Sequence, residues 1–262
     1  MKQIVRCIFT ALGISIVIMS CNGDNKKTES ATTGDTTVKA ITPAATEPAA
    51  QANAMDAAKV APGLYKVIAD TAGIRMLEVN YKPGDSSAMH SHPDNVLYVI
   101  DGGKSEFTSK DGSKQVRELK SGMVMRLPAE THSVKNIGTT TLKAILVEVN
   151  RADKAGPAMD ATMDAAKVSP ANYKVVVPDS MNIRVLMATY KPGESSAMHS
   201  HPTQAVYVIE GSDAEFTDKD GTKHPMKMEK GASMIIPGTA THSSKNTGKT
   251  NMKALIVEVN RL

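Results

Sequence analysis

The run Tyr81-Lys82-Pro83-Gly84-Asp85-Ser86-Ser87-Ala88-Met89-His90-Ser91-His92-Pro93 returns with one change as Tyr190-Lys191-Pro192-Gly193-Glu194-Ser195-Ser196-Ala197-Met198-His199-Ser200-His201-Pro202. Each copy carries two histidines at i and i+2, and a third follows in each, His132 and His242. Six of the seven histidines therefore occupy matched positions of a duplicated unit, leaving only His224. Alternate residues of a strand share a face, so His90 and His92 project together, as do His199 and His201. Three imidazoles per unit, one delivered from a different strand, is the way a β-protein builds a metal site.

The duplication extends well beyond the histidines. Met55-Asp56-Ala57-Ala58-Lys59-Val60 recurs as Met163-Asp164-Ala165-Ala166-Lys167-Val168, and the units close on Val147-Glu148-Val149-Asn150-Arg151 and Val257-Glu258-Val259-Asn260-Arg261. About half of the aligned residues match. We place one domain at 55–151, a linker containing a Gly-Pro at 152–162 and a second domain at 163–262, each large enough to fold alone. Within a unit, short apolar or alternating runs are expected to be strands: Ile74 to Tyr81, Val96 to Ile100, Met123 to Leu127 and Leu142 to Val149. Asp111-Gly112 and Asp220-Gly221 are hairpin-type turns. No sustained helical periodicity is present outside the N-terminal segment, so the fold class is all-β, a sandwich or small barrel. The abundant methionines read as core filling in a chain with few aromatics.

The chain's beginning points to export. Lys2 and Arg6 precede an apolar run from Ile8 to Met19, too short to span a bilayer comfortably. Ile18-Met19-Ser20-Cys21 resembles the lipobox of bacterial lipoprotein signal peptides. That resemblance implies a cleaved peptide at 1–20 and a lipid on Cys21, hence a protein anchored at the bacterial cell envelope, on its periplasmic or surface face. Loss of the peptide removes Cys7, leaving no thiol for a disulfide once Cys21 is lipidated. Removing Lys2 and Arg6 lowers the formal charge from +4 to +2. With no basic patch interleaved with aromatics, nucleic-acid binding is excluded. Residues 21–54, poor in large apolar side chains, are expected to be a disordered tether reaching some 30 Å.

The histidine spacing brings a second family into view. Its motifs are G-x5-H-x-H-x3-4-E-x6-G and G-x5-P-x-G-x2-H-x3-N. Gly84, His90, His92 and Gly103 follow the first motif in unit one, and Gly193, His199, His201 and Gly211 in unit two, with slightly altered spacing. Gly122, Pro128, His132 and Asn136, and then Gly231, Pro237, His242 and Asn246, follow the second. In these residues the region from Met55 to Leu262 resembles the cupin superfamily. The resemblance implies two tandem double-stranded β-helix (jelly-roll) barrels, a bicupin. His90, His92 and His132 would be one set of metal ligands, and His199, His201 and His242 the other. Cupin pairing is then expected either between two chains, as a homodimer, or between the two units of one chain.

Two departures bear on chemistry. Cupins commonly add a glutamate ligand after H-x-H, but here the neighbourhoods read Pro93-Asp94-Asn95-Val96-Leu97 and Pro202-Thr203-Gln204-Ala205-Val206. Asp94 is a substitute in unit one only. Unit one is also a residue shorter between Pro128 and its third histidine, with Glu130 at the motif's glycine, so a shift of His132 is expected. Three neutral imidazoles leave a divalent transition metal with open positions for substrate and oxygen. The three-histidine set resembles that of the Fe(II) dioxygenases of thiols, diketones and gentisate. The missing glutamate argues against the manganese site of oxalate decarboxylases and germins. Zinc, manganese, nickel and copper also suit imidazole ligands. The expected activity is thus that of an Fe(II)-dependent dioxygenase of a small organic substrate. The alternative is a non-catalytic module binding a small molecule or a metal. Arg126 is a candidate substrate contact if its strand face lines the barrel. Met89 and Met198 read as packing, Glu106 and Glu215 as a solvated strand face, and His224 as a surface histidine.

Overall fold

The computed structural model describes residues 55–150, 159–180 and 182–259. The expected signal peptide, Cys21, the tether and most of the linker lie outside these residues. The first unit runs from a one-turn helix α1 (Ala57–Val60) through β1 (Tyr65–Thr71), β2 (Ile74–Tyr81), β3 (His90–His92), β4 (Asn95–Asp101), β5 (Gly103–Ser109), β6 (Lys114–Leu119), β7 (Val124–Leu127), β8 (Glu130–Asn136) and β9 (Leu142–Val149). The second repeats it as α2 (Ala165–Val168), β10 (Tyr173–Ser180), β11 (Ile183–Tyr190), β12 (His199–His201), β13 (Gln204–Glu210), β14 (Ser212–Asp218), β15 (Lys223–Met228), β16 (Ser233–Ile236), β17 (Ala240–Asn246) and β18 (Met252–Val259). Among the described residues no helix is long and apolar enough to cross a membrane.

Each unit folds as two antiparallel sheets. A five-stranded sheet ordered β1-β2-β9-β4-β7 faces a four-stranded sheet ordered β3-β8-β5-β6, and the second unit repeats both as β10-β11-β18-β13-β16 and β12-β17-β14-β15. These are two tandem jelly-roll barrels. The Asp-Gly dipeptides turn the β5–β6 and β14–β15 hairpins, with Gly112 at φ +83° and Gly221 at φ +86°.

The central strands β9 and β18 are buried on both faces, and their alternation feeds two different cores. Leu142, Ala144 and Leu146 point into the first unit's own interior, while Ile145, Val147 and Val149 point outward. In β18, Met252, Ala254 and Ile256 fill the second unit, while Leu255, Val257 and Val259 point outward. The outward faces of the two five-stranded sheets meet in one core that includes Ile74, Met76, Ile183 and Val185. There the Tyr98 and Tyr207 rings lie 5.8 Å apart. The two units are thus joined by a shared apolar layer within a single chain.

Two expectations change. The motif-closing glycine of unit one is Gly102, not Gly103: Gly102 and Gly211 both press against the turn after the partner strand, beside the Leu119 and Met228 carbonyls, while Gly103 begins β5 where Ser212 begins β14. The one-residue shortening before His132 is absorbed before β8, because His132 pairs with His90 just as His242 pairs with His199.

Leu255, only 1% exposed in the shared core, measures how far the units depend on each other. Leu255→Ala should cost about 2–5 kcal/mol in denaturant unfolding, as buried Leu→Ala changes do.

Candidate metal centre

A charged residue in a doubly buried strand explains how the site is assembled. Glu148 of β9 and Glu258 of β18 are 2% and 0% exposed and sit on the strand face that looks into their own unit. A buried carboxylate needs compensating charge and hydrogen bonds. In register beside Glu148 stands Arg75 of β2, whose Nε donates to Glu148 Oε2 at 2.6 Å. Arg184 of β11 does the same to Glu258 Oε2 at 2.6 Å. The other end of each guanidinium reaches the duplicated aspartate: Nη1 of Arg75 donates to Asp56 at 2.6 Å, and Nη1 of Arg184 to Asp164 at 2.8 Å. Each aspartate also caps its one-turn helix, accepting from the Ala58 or Ala166 amide.

The other carboxylate oxygen of each glutamate holds a histidine. His92 Nδ1 donates to Glu148 Oε1 at 2.6 Å, and His201 Nδ1 donates to Glu258 Oε1 at 2.8 Å. With Nδ1 so committed, the ring orientation is fixed and Nε2 is left as the nitrogen for a ligand. The first histidine of each pair is fixed by backbone instead. His90 Nδ1 donates to the Ala88 carbonyl at 2.8 Å and His199 Nδ1 to that of Ala197 at 2.7 Å. Their Nε2 atoms accept from tyrosine: Tyr81 donates to Tyr65, which donates to His90 at 3.0 Å, and Tyr190 donates to Tyr173, which donates to His199 at 2.9 Å. Glycines Gly84 and Gly193, at φ +86° and +81°, turn the chain ahead of these strands in a conformation that other residues rarely adopt.

The third histidine arrives by strand pairing. His132 of β8 faces His90 and His242 of β17 faces His199. Phe107 and Phe216 meet these third rings edge-on, with centroids 5.6 and 5.4 Å away. The structure therefore brings together both expected trios, His90, His92 and His132, and His199, His201 and His242, with one ligand atom from each residue within 4.8 Å of the others. Burial lowers His90 and His199 to about 4 and His242 to about 3 from the ordinary 6.5, with neighbouring histidines adding to the effect. These imidazoles are neutral at physiological pH, as ligands must be. The donor chemistry fits a divalent transition metal.

Each centre borders a small cavity, about 50 Å³ in the first unit and about 60 Å³ in the second, on the scale of a few water molecules. The walls are mostly apolar. Asn95 and Gln204 line them, 1% and 2% exposed, and their amide oxygens have no partner. These amides, rather than Asp94, are the polar groups that follow H-x-H into the cavity. Asp94 Oδ1 accepts instead from the Ala129 amide, as Thr203 Oγ1 accepts from Gly238, and both tie down the turn before the third histidine.

Arg126 is not among the cavity residues. Its neighbours Met125 and Leu127 line the first cavity, so alternation along β7 turns Arg126 to the other face. The arginine that lines this cavity is Arg117 of β6, which lies over the Phe107 ring, 5.0 Å from its centroid. Glu106 and Glu215 pair with Lys114 and Lys223 at 2.9 Å, and His224 pairs at the surface with Asp218 at 2.7 Å. Met89 and Met198 are half-buried.

Comparison with known proteins agrees with this architecture. The model of the Cupin domain matches residues 77–148 and 186–258. Bacillus subtilis oxalate decarboxylase, in a structure concerned with its Mn(II) centres, superposes with a TM-score of 0.52 at 16% identity, covering 72% of this chain and 70% of that one. A variant of the same enzyme gives 0.53 at 15% identity, covering 72% and 69%. A Cupin 2 conserved barrel domain protein from Leptotrichia buccalis gives 0.46 at 16% identity, covering 75% and 88%. At such identities the oxalate decarboxylase likeness shows a shared fold. A comparison with curated proteins gave no match.

The buried imidazoles set a pH dependence. An unfolded chain takes up protons near 6.5, while His90, His199 and His242 stay neutral down to about 4, 4 and 3. Their contribution to the stability of metal-free protein is therefore complete above about pH 6.5 and declines as pH falls towards 4. The slope is up to about 1.4 kcal/mol per pH unit for each group. Burial alone would raise the Glu258 carboxyl, but His201 and Arg184 outweigh it and hold it low, so its contribution is lost only at still lower pH. Denaturant midpoints measured across this range should fall on acidification; a flat profile would contradict buried, neutral His90, His199 and His242.

Proposed function

The chain belongs to the cupin family, with two cupin domains in tandem, and on that premise we propose that it is a metal-dependent oxidoreductase of the dioxygenase type, using Fe(II) on a small organic substrate. One observation carries the reading: each trio of imidazoles converges its ligand atoms beside a small, mostly apolar cavity. We further propose that His90, His92, His132, His199, His201 and His242 hold the metal, and that a lipid on Cys21 anchors the protein at the cell envelope.

When bound, a divalent metal would supply open coordination positions and, as Fe(II), electrons for oxygen chemistry. The protein's own residues do the rest. Glu148 and Glu258 keep the His92 and His201 Nε2 atoms aimed inward. Burial, reinforced by their paired tyrosines, raises Tyr65 and Tyr173 well above the ordinary phenol value, so each keeps its O–H proton; a metal on His90 or His199 would take over the Nε2 lone pair that this O–H occupies and release the hydroxyl as a donor at the centre. The apolar walls exclude bulk water, which strengthens every polar contact inside. The closed cavities hold only a few heavy atoms, so a larger thiol, diketone or aromatic acid requires the walls to part. Manganese, the metal named for the oxalate decarboxylase that shares this fold, is the second ion to test.

The small cavities also support a second reading, a module that binds metal or a small molecule without turning it over. Anaerobic purification and elemental mass spectrometry should find about two equivalents of metal, as two trios require. The sixfold alanine variant of the histidines should retain none. Oxygen uptake with thiols, diketones or aromatic acids would support the enzyme, whereas full metal loading without uptake would favour the binding module. Failure to hold any divalent ion after reconstitution would end both metal readings.

A further inference from the structure

The two centres share their imidazoles, tyrosine pairs, cavity-lining amides and Asp-Arg-Glu chains, but they differ behind the third histidine. Glu130 opens β8 in register with His92, and its Oε1 lies 3.1 Å from His132 Nδ1, an ion-pair distance without an aligned hydrogen bond. In the second unit the residue in register with His201 is Ala240, which has no acceptor to offer His242. Glu130 and His92 line both the inner cavity and a surface groove of about 570 Å³. The first centre therefore has one carboxylate hydrogen-bonded to His92 and a second within ion-pair distance of His132, whereas the second centre has only the carboxylate bonded to His201.

We propose that the two centres are a graded pair, in which the first binds a divalent transition metal more tightly than the second because Glu130 backs His132 while Ala240 leaves His242 unbacked. This rests on the metal-binding reading above. A carboxylate beside a ligating imidazole's other nitrogen raises its basicity and adds negative charge near the cation. Loss of such a partner typically costs 10–100-fold in metal affinity, roughly the separation expected here. Arg117 works against Glu130 in part, since its positive charge lines the same cavity where β15 carries Met226. However, its Nε and Nη2 are occupied by Gln115 Oε1 at 2.8 and 2.6 Å. Glu130 is thus a positioning residue, not a ligand of the trio.

The test is titration of the metal-free full-length chain with Zn(II) in competition with a chromophoric chelator. Two steps separated by about 10–100-fold are expected. His132→Ala should remove the tight step and His242→Ala the weak one. Glu130→Gln should bring the two steps together at the weak end. Ala240→Glu should bring them together at the tight end, a gain that a purely structural role for Glu130 does not predict. Two equal steps in the unaltered protein, or a separation that Glu130→Gln leaves unchanged, would overturn the proposal while leaving metal binding intact. Absence of binding at both centres would overturn the proposal and the metal reading together.

Discussion

The buried carboxylates of Glu148 and Glu258 are the constraint on which the rest of each unit depends. A charge at 2% or 0% exposure inside a β-sheet is tolerated only when surrounded by compensating donors. Supplying them fixes the register of the neighbouring strand, because Arg75 and Arg184 must stand directly opposite. It also docks the one-turn helix through Asp56 or Asp164, and it orients the His92 and His201 rings. Folding and construction of the centre are therefore one event: the same carboxylate that completes the core aims the ligand nitrogen. Removing it would leave a guanidinium and an imidazole without their partner in the same place.

A second economy lies in the central strands. β9 and β18 use one face for the interior of their own unit and the other for the layer that joins the units. This accounts for the unbroken burial of Ala144 to Val149 and Ala254 to Val259. The centres sit in the interior of each unit, away from the joining layer, so the units can differ at their centres without disturbing the shared core. Glu130 against Ala240 and Arg117 against Met226 are differences of this kind. All four lie in the four-stranded sheets, outside the shared core.

Some features were legible along the chain because they need only local period and repetition. The trios could be named from i, i+2 spacing, from the later His132 and His242, and from the presence of all of them twice. Four strands were placed within about two residues, the usual scatter of element ends. The buried charge chain left a weaker trace: Asp56 and Asp164 lie in the repeated Met-Asp-Ala-Ala-Lys-Val, and Glu148 and Glu258 interrupt repeated apolar runs. A charge kept inside a repeated apolar strand is a sign of a buried pair.

By itself, the sequence determined the all-β class, the duplication and the identity of the six histidines, because strand periodicity and internal repeats are properties of neighbours along the chain. Tertiary structure alone decided that Arg117 rather than Arg126 faces the first cavity, since a period of two separates two faces without saying which is inward. It decided that Asn95 and Gln204, not Asp94, follow the histidines inside, and that Glu130 stands beside His132. It also joined Arg75 to Glu148 across 73 residues and seated the two units on one core. Contacts of this kind are set by register between strands far apart in sequence, and register is fixed only when the buried charges and apolar faces of the whole unit are satisfied together.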